Sequence, residues 1–347
     1  MISEGAGKFL MSVTIVNSLP EDRWRTFVDT HPYGTIFHTP EMFEVFAHAR
    51  RHRPALWAAV NSNGEPLVLL VPVEITLMEG ALRRLTTRSV VYGGILCSTA
   101  WESMEALELL LRTYVHEVRG MTLFTEVRNL SNAIVLQPTL LRCGFLCEEH
   151  LNYLINLDRS LEDIVGSFSR RLRQTIRQVL KRREVVIETV TDRSQVDIFF
   201  RLVQKSFARA CIPSPDRSLF EASFDVLSPK GMMRMCLARV GREYVSGSVE
   251  LLYKNVMYAW YCGMDRAYAS VAPGEMVMWD ILTWGVRHGF KAYDFGGAGK
   301  PGERYGVRDF KAKFGGDLVS FGRNTFVHAP AVLQISKLGY RLYRMFL

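Results

Sequence analysis

The stretch YDFGGAGKPGERYGVRDFKAKFGG (293–316) concentrates glycine and positive charge, with seven glycines in 24 residues. It holds GxGxxG at Gly297, Gly299 and Gly302, and a Gly299–Lys300 pair, a pattern that suggests a backbone cradle for phosphate. The neighbouring residues exclude that use. A dinucleotide fingerprint needs the N-terminus of a helix straight after the glycines and an acid about twenty residues on. Here Pro301 and charged residues follow, with about 45 residues of chain left. A Walker loop needs GxxxxGK[ST], but Asp294 stands at the first glycine position and Pro301 at the magnesium-binding hydroxyl.

What remains is a flexible crossing followed by RDFKAKFGGDLVSF. Phe310 and Phe314 are four apart, so a short helix buries the rings and exposes the amine of Lys311. Gly315–Gly316 ends that helix, and DLVSFGRNTF reads as a strand. A cation beside mobile glycines can stabilise the oxyanion formed when an amine attacks an ester or thioester. The plain alternatives are a solvated surface lysine and a simple C-cap turn. Asp294, at the end of the preceding strand, could orient Lys311 or an arginine.

Two further groups could bind ligands. In 168–183, Phe168, Leu172, Ile176 and Val179 share one helical side, and Arg170, Arg173, Arg177 and Lys181 share the other. With seven Lys or Arg in residues 170–183, that face suits phosphates of RNA or of a nucleotide-linked precursor, or is simply solvated. Cys143, Cys147 and His150 form an incomplete metal set lacking a fourth ligand; their apolar neighbours favour packing, and no metal is expected.

At 347 residues the chain can hold two domains, and 48% hydrophobic with 22% charged residues is the composition of a soluble globular protein. The net charge of +8 favours anionic partners. Six scattered cysteines suit a reducing compartment, and no apolar run is long enough for a membrane span. MISEGAGKFLMSV lacks the basic flank and apolar stretch of a signal peptide, so a cytoplasmic protein is expected.

The elements must position these groups. Helices are expected at 18–31 and 39–50, the second with Thr39 as N-cap and Pro40 at its first position. Residues 55–75 read as a hairpin turning at Asn63–Gly64, followed by a helix near 101–119, a strand at 122–127 and a helix at 132–143. The order then recurs: helix 160–182, strand 184–190, helices 193–210 and 216–228, three strands over 232–265, helix 274–289 and strand 291–295. This repetition predicts two similar α/β domains, bounded at 12–155 and 156–328, with an amphipathic helix at 329–347. In that helix Val332, Ile335, Leu338, Leu342 and Phe346 recur at helical spacing, with Lys337, Arg341 and Arg344 elsewhere. It either packs on the domains or lies on an anionic membrane.

Three stretches, GTIFHTPEMFEVF (34–46), RRLRQTIRQVLKRREVVIE (170–188) and GEMVMWDILTWGVRHGFKAYDFGG…FKAKFGG (274–316), resemble the Fem-type peptidyltransferases (FemA, FemB, FemX) and the wider peptidoglycan-bridge glycyltransferase-like group. The aromatic–Asp–Phe–Gly–Gly strand end, with Gly296 and Gly297, followed by Phe-Lys-x-x-Phe-Gly-Gly carries most of the likeness. It implies an α/β (α+β) fold of two tandem acyl-CoA N-acyltransferase (GNAT)-like domains, each a mostly antiparallel mixed sheet flanked by helices. It also implies an N-acyltransferase that moves an aminoacyl or acyl group to an amine of a cell-wall or surface-polysaccharide precursor, with no bound cofactor.

By the same resemblance, Phe310 and Lys311 lie at the reaction centre, Arg209 contacts the acceptor, and Tyr258 and Tyr261 belong to the strand lining its cleft. Strand alternation puts those tyrosines on opposite faces, so one lines the cleft, and Tyr261 is the expected one. The basic segment resembles the family's RRNIRKA-like stretch. The general base is Asp309, Tyr305 or a carboxylate of the substrate. The lysine common in the family's counterpart of 39–50 is missing, with His48, Arg50 and Arg51 as substitutes, and no helical arm for tRNA is present. Donor and partners therefore stay open between aminoacyl-tRNA and a coenzyme A or carrier-protein thioester, with a nucleotide- or lipid-linked envelope precursor as acceptor, met in the cytoplasm or peripherally at the inner membrane face. A non-catalytic basic binding protein that keeps the fold is the remaining alternative.

Overall fold

The structure, a computed structural model, describes residues 13–98 and 101–345. The N-terminal leader question and Phe346 lie outside those residues. In the first half, strands Trp57–Val60 and Pro66–Leu70 form the expected hairpin, its turn held by the Asn61 side chain, which accepts from the Asn63 and Glu65 amides. Gly64 supplies the positive φ of 74°. The second apolar run divides at Val71, and Pro72–Thr76 enters a separate six-stranded sheet. Within that sheet Thr87–Gly93 runs parallel to Phe124–Asn129, joined through helix Trp101–Glu117, which buries Leu107, Leu110 and Leu111.

The second half repeats the plan. Strands Met233–Val240, Glu243–Tyr253 and Val256–Met264 form an antiparallel meander, and helix Pro273–Arg287 leads to Ala292–Gly297. That last strand pairs in parallel with Val256–Met264 at only three positions, Val256↔Ala292, Met257↔Tyr293 and Tyr258↔Asp294. Beyond them the two strands separate into a splay. Both halves thus place one parallel pair in a mostly antiparallel sheet covered by helices, as the tandem GNAT-like expectation requires.

The sheets do not divide at residue 155 or end at 328. Leu151–Asn156 lies in the seven-stranded second sheet between Ala292–Gly297 and Asp317–Ser320, and Arg323–Val327 lies in the first half between Phe124–Asn129 and Leu146–Glu148. The chain crosses between units near 150 and returns near 321. Strand periodicity carries no information about which neighbour a strand chooses, so this exchange is invisible in sequence pattern. Helix Pro330–Met345 follows; Ser336 donates to the Leu85 carbonyl (2.6 Å) and Tyr340 to that of Cys211 (3.3 Å), while Ile335 and Leu338 stay exposed.

The helix expected over 160–182 is two helices, Leu161–Ser167 and Arg170–Arg182, each opened by its own serine cap: Ser160 accepts from the Asp163 amide and Ser169 from that of Leu172. At the break, buried Phe168 meets the rings of Phe314 and Trp279 edge-on, and the Ser169 amide donates to the Lys313 carbonyl (2.8 Å). Backbone approaches just as closely at the glycine pair. A Cβ on Gly315 would lie 2.8 Å from the Ser167 carbonyl oxygen and one on Gly316 2.5 Å from that of Leu154, with φ of 74° and 94°. Gly316→Ala is therefore expected to destabilise the fold by about 1–3 kcal/mol or more. Urea unfolding of the variant beside the parent checks this.

Candidate active site

Lys311 sits in helix Gly306–Ala312 and reaches into the splay. The expectation of an exposed amine is corrected: Lys311 is only 7% exposed, and its ammonium donates to the carbonyls of Phe295 (2.5 Å) and Gly297 (2.8 Å). Those carbonyls are free to accept because the parallel pairing has ended before them. Burial pushes the Lys311 ammonium down to about 8, with Cys262, Asp294 and Glu250 pulling the other way. Two of its three N–H groups are used, which leaves one for a ligand. Phe314 is fully buried, and Phe310 is half-buried edge-on against it, so the two rings anchor the lysine's helix.

Asp294 is the carboxylate of the site. It is 3% exposed, and its Oδ1 accepts from the Gly296 amide (2.7 Å) and from Asn152 Nδ2 (3.4 Å). Burial raises its carboxyl to about 6, against the opposing pull of the Gly296 amide, Lys311 and Asn152. Gly296 adopts the positive φ of 72° that turns its amide back onto this carboxylate. Asp294 lines a cavity of about 160 Å³ between the two sheets, together with Tyr258, His150, Arg128, Arg323 and Gly297. A larger cavity of about 330 Å³, around Glu41 and Lys230, shares none of these residues.

The expected choice between the tyrosines is also corrected. Tyr258 lines the cavity, whereas Tyr261 packs on Phe207, Phe220 and Trp260. They do not face opposite ways. Val249 pairs with Tyr261 and Glu250 with Ala259, so Trp260 is an extra residue in a β-bulge that resets the alternation. Both rings pack into one core layer against the first half of the chain. Burial raises both phenols.

Other expected residues lie elsewhere. Asp309 and Tyr305 are exposed, and neither is bonded to Lys311; Tyr305 leans on Gly299. Asp309 lies on helix Gly306–Ala312 and Tyr305 just before it, and the buried residue of that helix is Lys311. Arg209 is exposed at the end of helix Ser194–Arg209, with no hydrogen bond or ion pair to a described residue, and does not line the cavity. His48, Arg50 and Arg51 are exposed; the 34–46 segment gives the cavity Phe37 instead of a cation.

On helix Arg170–Arg182, Leu172, Ile176 and Val179 are buried, as is Phe168 before it. Arg170, Arg177 and Lys181 are exposed, and half-buried Arg173 donates to the Gly166 carbonyl (2.7 Å). Cys143 is buried and burial raises its thiol, but Cys147 is exposed on an outer strand, contrary to the packing expected for it. No metal-binding cluster occurs among the described residues.

Sequence reasoning missed several residues of the cavity, three of them polar groups central to the site. Arg128, Asn152 and Arg323 sit on strands that meet only in the exchanged sheets, and no local spacing marks them. His150, assigned to a metal set, instead faces Arg323 across 2.7 Å.

Residues 166–311 match the family described as acetyltransferase (GNAT) domain. No curated protein matches the sequence. Among solved structures, FemX is similar over 94% of this chain and 99% of its own, with 17% identity and a TM-score of 0.70. A tandem GNAT protein from the clavulanic acid biosynthesis pathway is similar over 92% and 99%, with 10% identity and a TM-score of 0.57. L-PGS from Bacillus licheniformis is similar over 93% and 97%, with 12% identity and a TM-score of 0.55. No helix among the described residues is long and apolar enough to cross a membrane. The chain thus shares its fold with FemX and with the tandem GNAT protein, consistent with the Fem-type resemblance, and the acetyltransferase domain matched over 166–311 supports an acyltransferase.

Proposed function

We propose that the chain transfers an aminoacyl or acyl group to an amine of a cell-wall or surface-polysaccharide precursor, with Lys311 and Asp294 as its catalytic pair. The observation that carries this is the splay, where a buried ammonium with one spare N–H stands beside a buried carboxylate lining a cavity. The acceptor nitrogen attacks the carbonyl carbon of the donor ester or thioester, forming the N–C bond. Its proton passes to Asp294. The tetrahedral oxyanion accepts the spare Lys311 N–H, and the C–O or C–S bond then breaks as the leaving oxygen or sulfur takes up a proton. Asp294, raised toward neutrality, suits the base role better than exposed Asp309 or Tyr305. No resident cofactor takes part in this scheme.

The exposed basic helix supports a donor or precursor rich in phosphate, because its first turn is tied through Ser169 to the Lys313 carbonyl. Replacing Arg170, Arg177 and Lys181 with Gln is expected to weaken tRNA binding about tenfold or more and to flatten its salt dependence by about two to three units of slope. Filter binding across a salt series checks this. A coenzyme A or carrier-protein thioester is the second donor, favoured by the acetyltransferase match over 166–311. Exposed Ile335 and Leu338 beside Lys337 support peripheral placement at an anionic membrane, where a lipid-linked acceptor resides.

The deciding experiment offers labelled aminoacyl-tRNA and, separately, labelled acetyl-coenzyme A to a mixture of murein precursors and amino sugars. RNase-sensitive transfer from tRNA establishes the aminoacyl donor. Transfer only from coenzyme A establishes the thioester. No transfer from either donor, with ligand binding intact in Lys311→Met, returns the chain to a binding protein.

A further inference from the structure

The interdomain cavity has a second end that the transfer chemistry leaves unused. Arg323 and Arg128 are direct cross-strand partners there, an arrangement in which like charges repel. They share a single carboxylate: Glu126 Oε1 lies 2.6 Å from Arg128 Nε and 3.3 Å from Arg323 Nη1. Arg88, on the adjoining Thr87–Gly93 strand, adds to the field on Glu126, and its Nε is buried with no hydrogen-bond partner. Three guanidinium groups therefore crowd one carboxylate, in a cavity that both Arg128 and Arg323 line.

His150 does not relieve the excess. Its Nε2 lies 2.7 Å from Arg323 Nη2, where only a neutral imidazole can accept, and burial with Arg323 pushes it down to about 4. Arg323 itself is lowered, first by burial and then by Arg128. Gly297 separates this group from the splay: its carbonyl accepts from Lys311, while a Cβ on it would lie 3.0 Å from His150 Nε2 and 3.7 Å from Arg323 Nη2. Cation pair and catalytic pair are thus neighbours across one glycine.

We propose that the acceptor is an amine carrying an oxyanion, carboxylate or phosphate, close to its nitrogen: the oxyanion seats on Arg128 and Arg323 while the amine faces Asp294. This rests on the cavity being the acceptor site. Arg128, Arg323 and Asp294 all line this one cavity, so a head that carries its oxyanion close to its amine can reach the arginines and the carboxylate together. Bidentate guanidinium contacts match both oxyanions, and a bound anion relieves the arginine repulsion.

The test measures binding of four small probes to the full chain by NMR titration: glycine against glycinamide, and O-phosphoethanolamine against ethanolamine. The anionic member of at least one pair is expected to bind about tenfold or more tighter, as for hydrogen bonds to charged groups. Arg323→Gln and Arg128→Gln should each bring it down toward its neutral partner. Preference for phosphoethanolamine identifies phosphate, and preference for glycine identifies carboxylate. Equal binding within both pairs, no binding by any probe, or anion binding indifferent to both variants overturns the proposal. The comparison within each pair uses the unaltered protein, so it stands even if a variant folds poorly. No donor is present; if these probes fail while Lys311-dependent transfer is intact, only this inference falls.

Discussion

Lys311→Met lowers the rate of transfer by about 10²–10³-fold with little change in acceptor KM, because it removes a donor that acts on charge formed in the transition state. Methionine is an unbranched side chain only one atom shorter, so the helix can still dock through Phe314. It leaves the carbonyls of Phe295 and Gly297 without their partner, at a cost of about 1–3 kcal/mol each where water cannot replace it. The variant should therefore be less stable as well as slower, and kinetics belong at a temperature where it is fully folded. Steady-state rates over a range of acceptor concentrations decide the matter. A kcat within threefold of the parent would remove Lys311 from the chemistry.

The second large effect belongs to Asp294. Asp294→Asn should cost about 10²–10⁴-fold in rate, the usual worth of a positioned base. Its signature lies in the pH profile. Activity of the parent needs Asp294 ionised and Lys311 protonated, so it rises through about 6 and falls through about 8. The asparagine variant loses the acidic limb. Its alkaline limb moves to lower pH, since the carboxylate that helps hold the Lys311 proton has gone.

Stability moves the opposite way. Asp294 is raised from 3.8 in the folded chain, so its contribution is fully present below pH 4 and is lost as pH rises through about 6. At neutral pH the ionised carboxylate costs about 3 kcal/mol, and the asparagine variant should melt higher than the parent. A slower but more stable protein separates a catalytic loss from a folding defect. A slow variant that keeps both limbs would disprove the base assignment.

Much of this architecture was legible in sequence because it rests on local signals. The apolar spacing of Leu172, Ile176 and Val179, the Asn63–Gly64 turn and the Phe310–Phe314 interval each specify an element without reference to the rest of the chain. The burial of Lys311 was not legible, because it depends on two strands parting after Tyr258 and Asp294 and freeing carbonyls for its amine. Nor was the shared face of Tyr258 and Tyr261, since a bulge at Trp260 breaks the two-residue period on which the expectation rested. The arginine group fails for a third reason: Glu126 and Arg323 are 197 residues apart, and only the exchanged strands bring them together.

That exchange has a consequence for how the chain is made. The first sheet lacks Arg323–Val327, the strand between Phe124–Asn129 and Leu146–Glu148, until the second half of the fold has also left the ribosome. Phe124–Asn129 therefore waits with one edge unpaired throughout synthesis of the second half, at about 5–20 residues per second. An open edge of that kind invites pairing with other chains. Nascent protein is most exposed to aggregation in those seconds, and a stop codon anywhere before residue 323 would leave an N-terminal half with a permanent gap in its sheet rather than a free-standing domain.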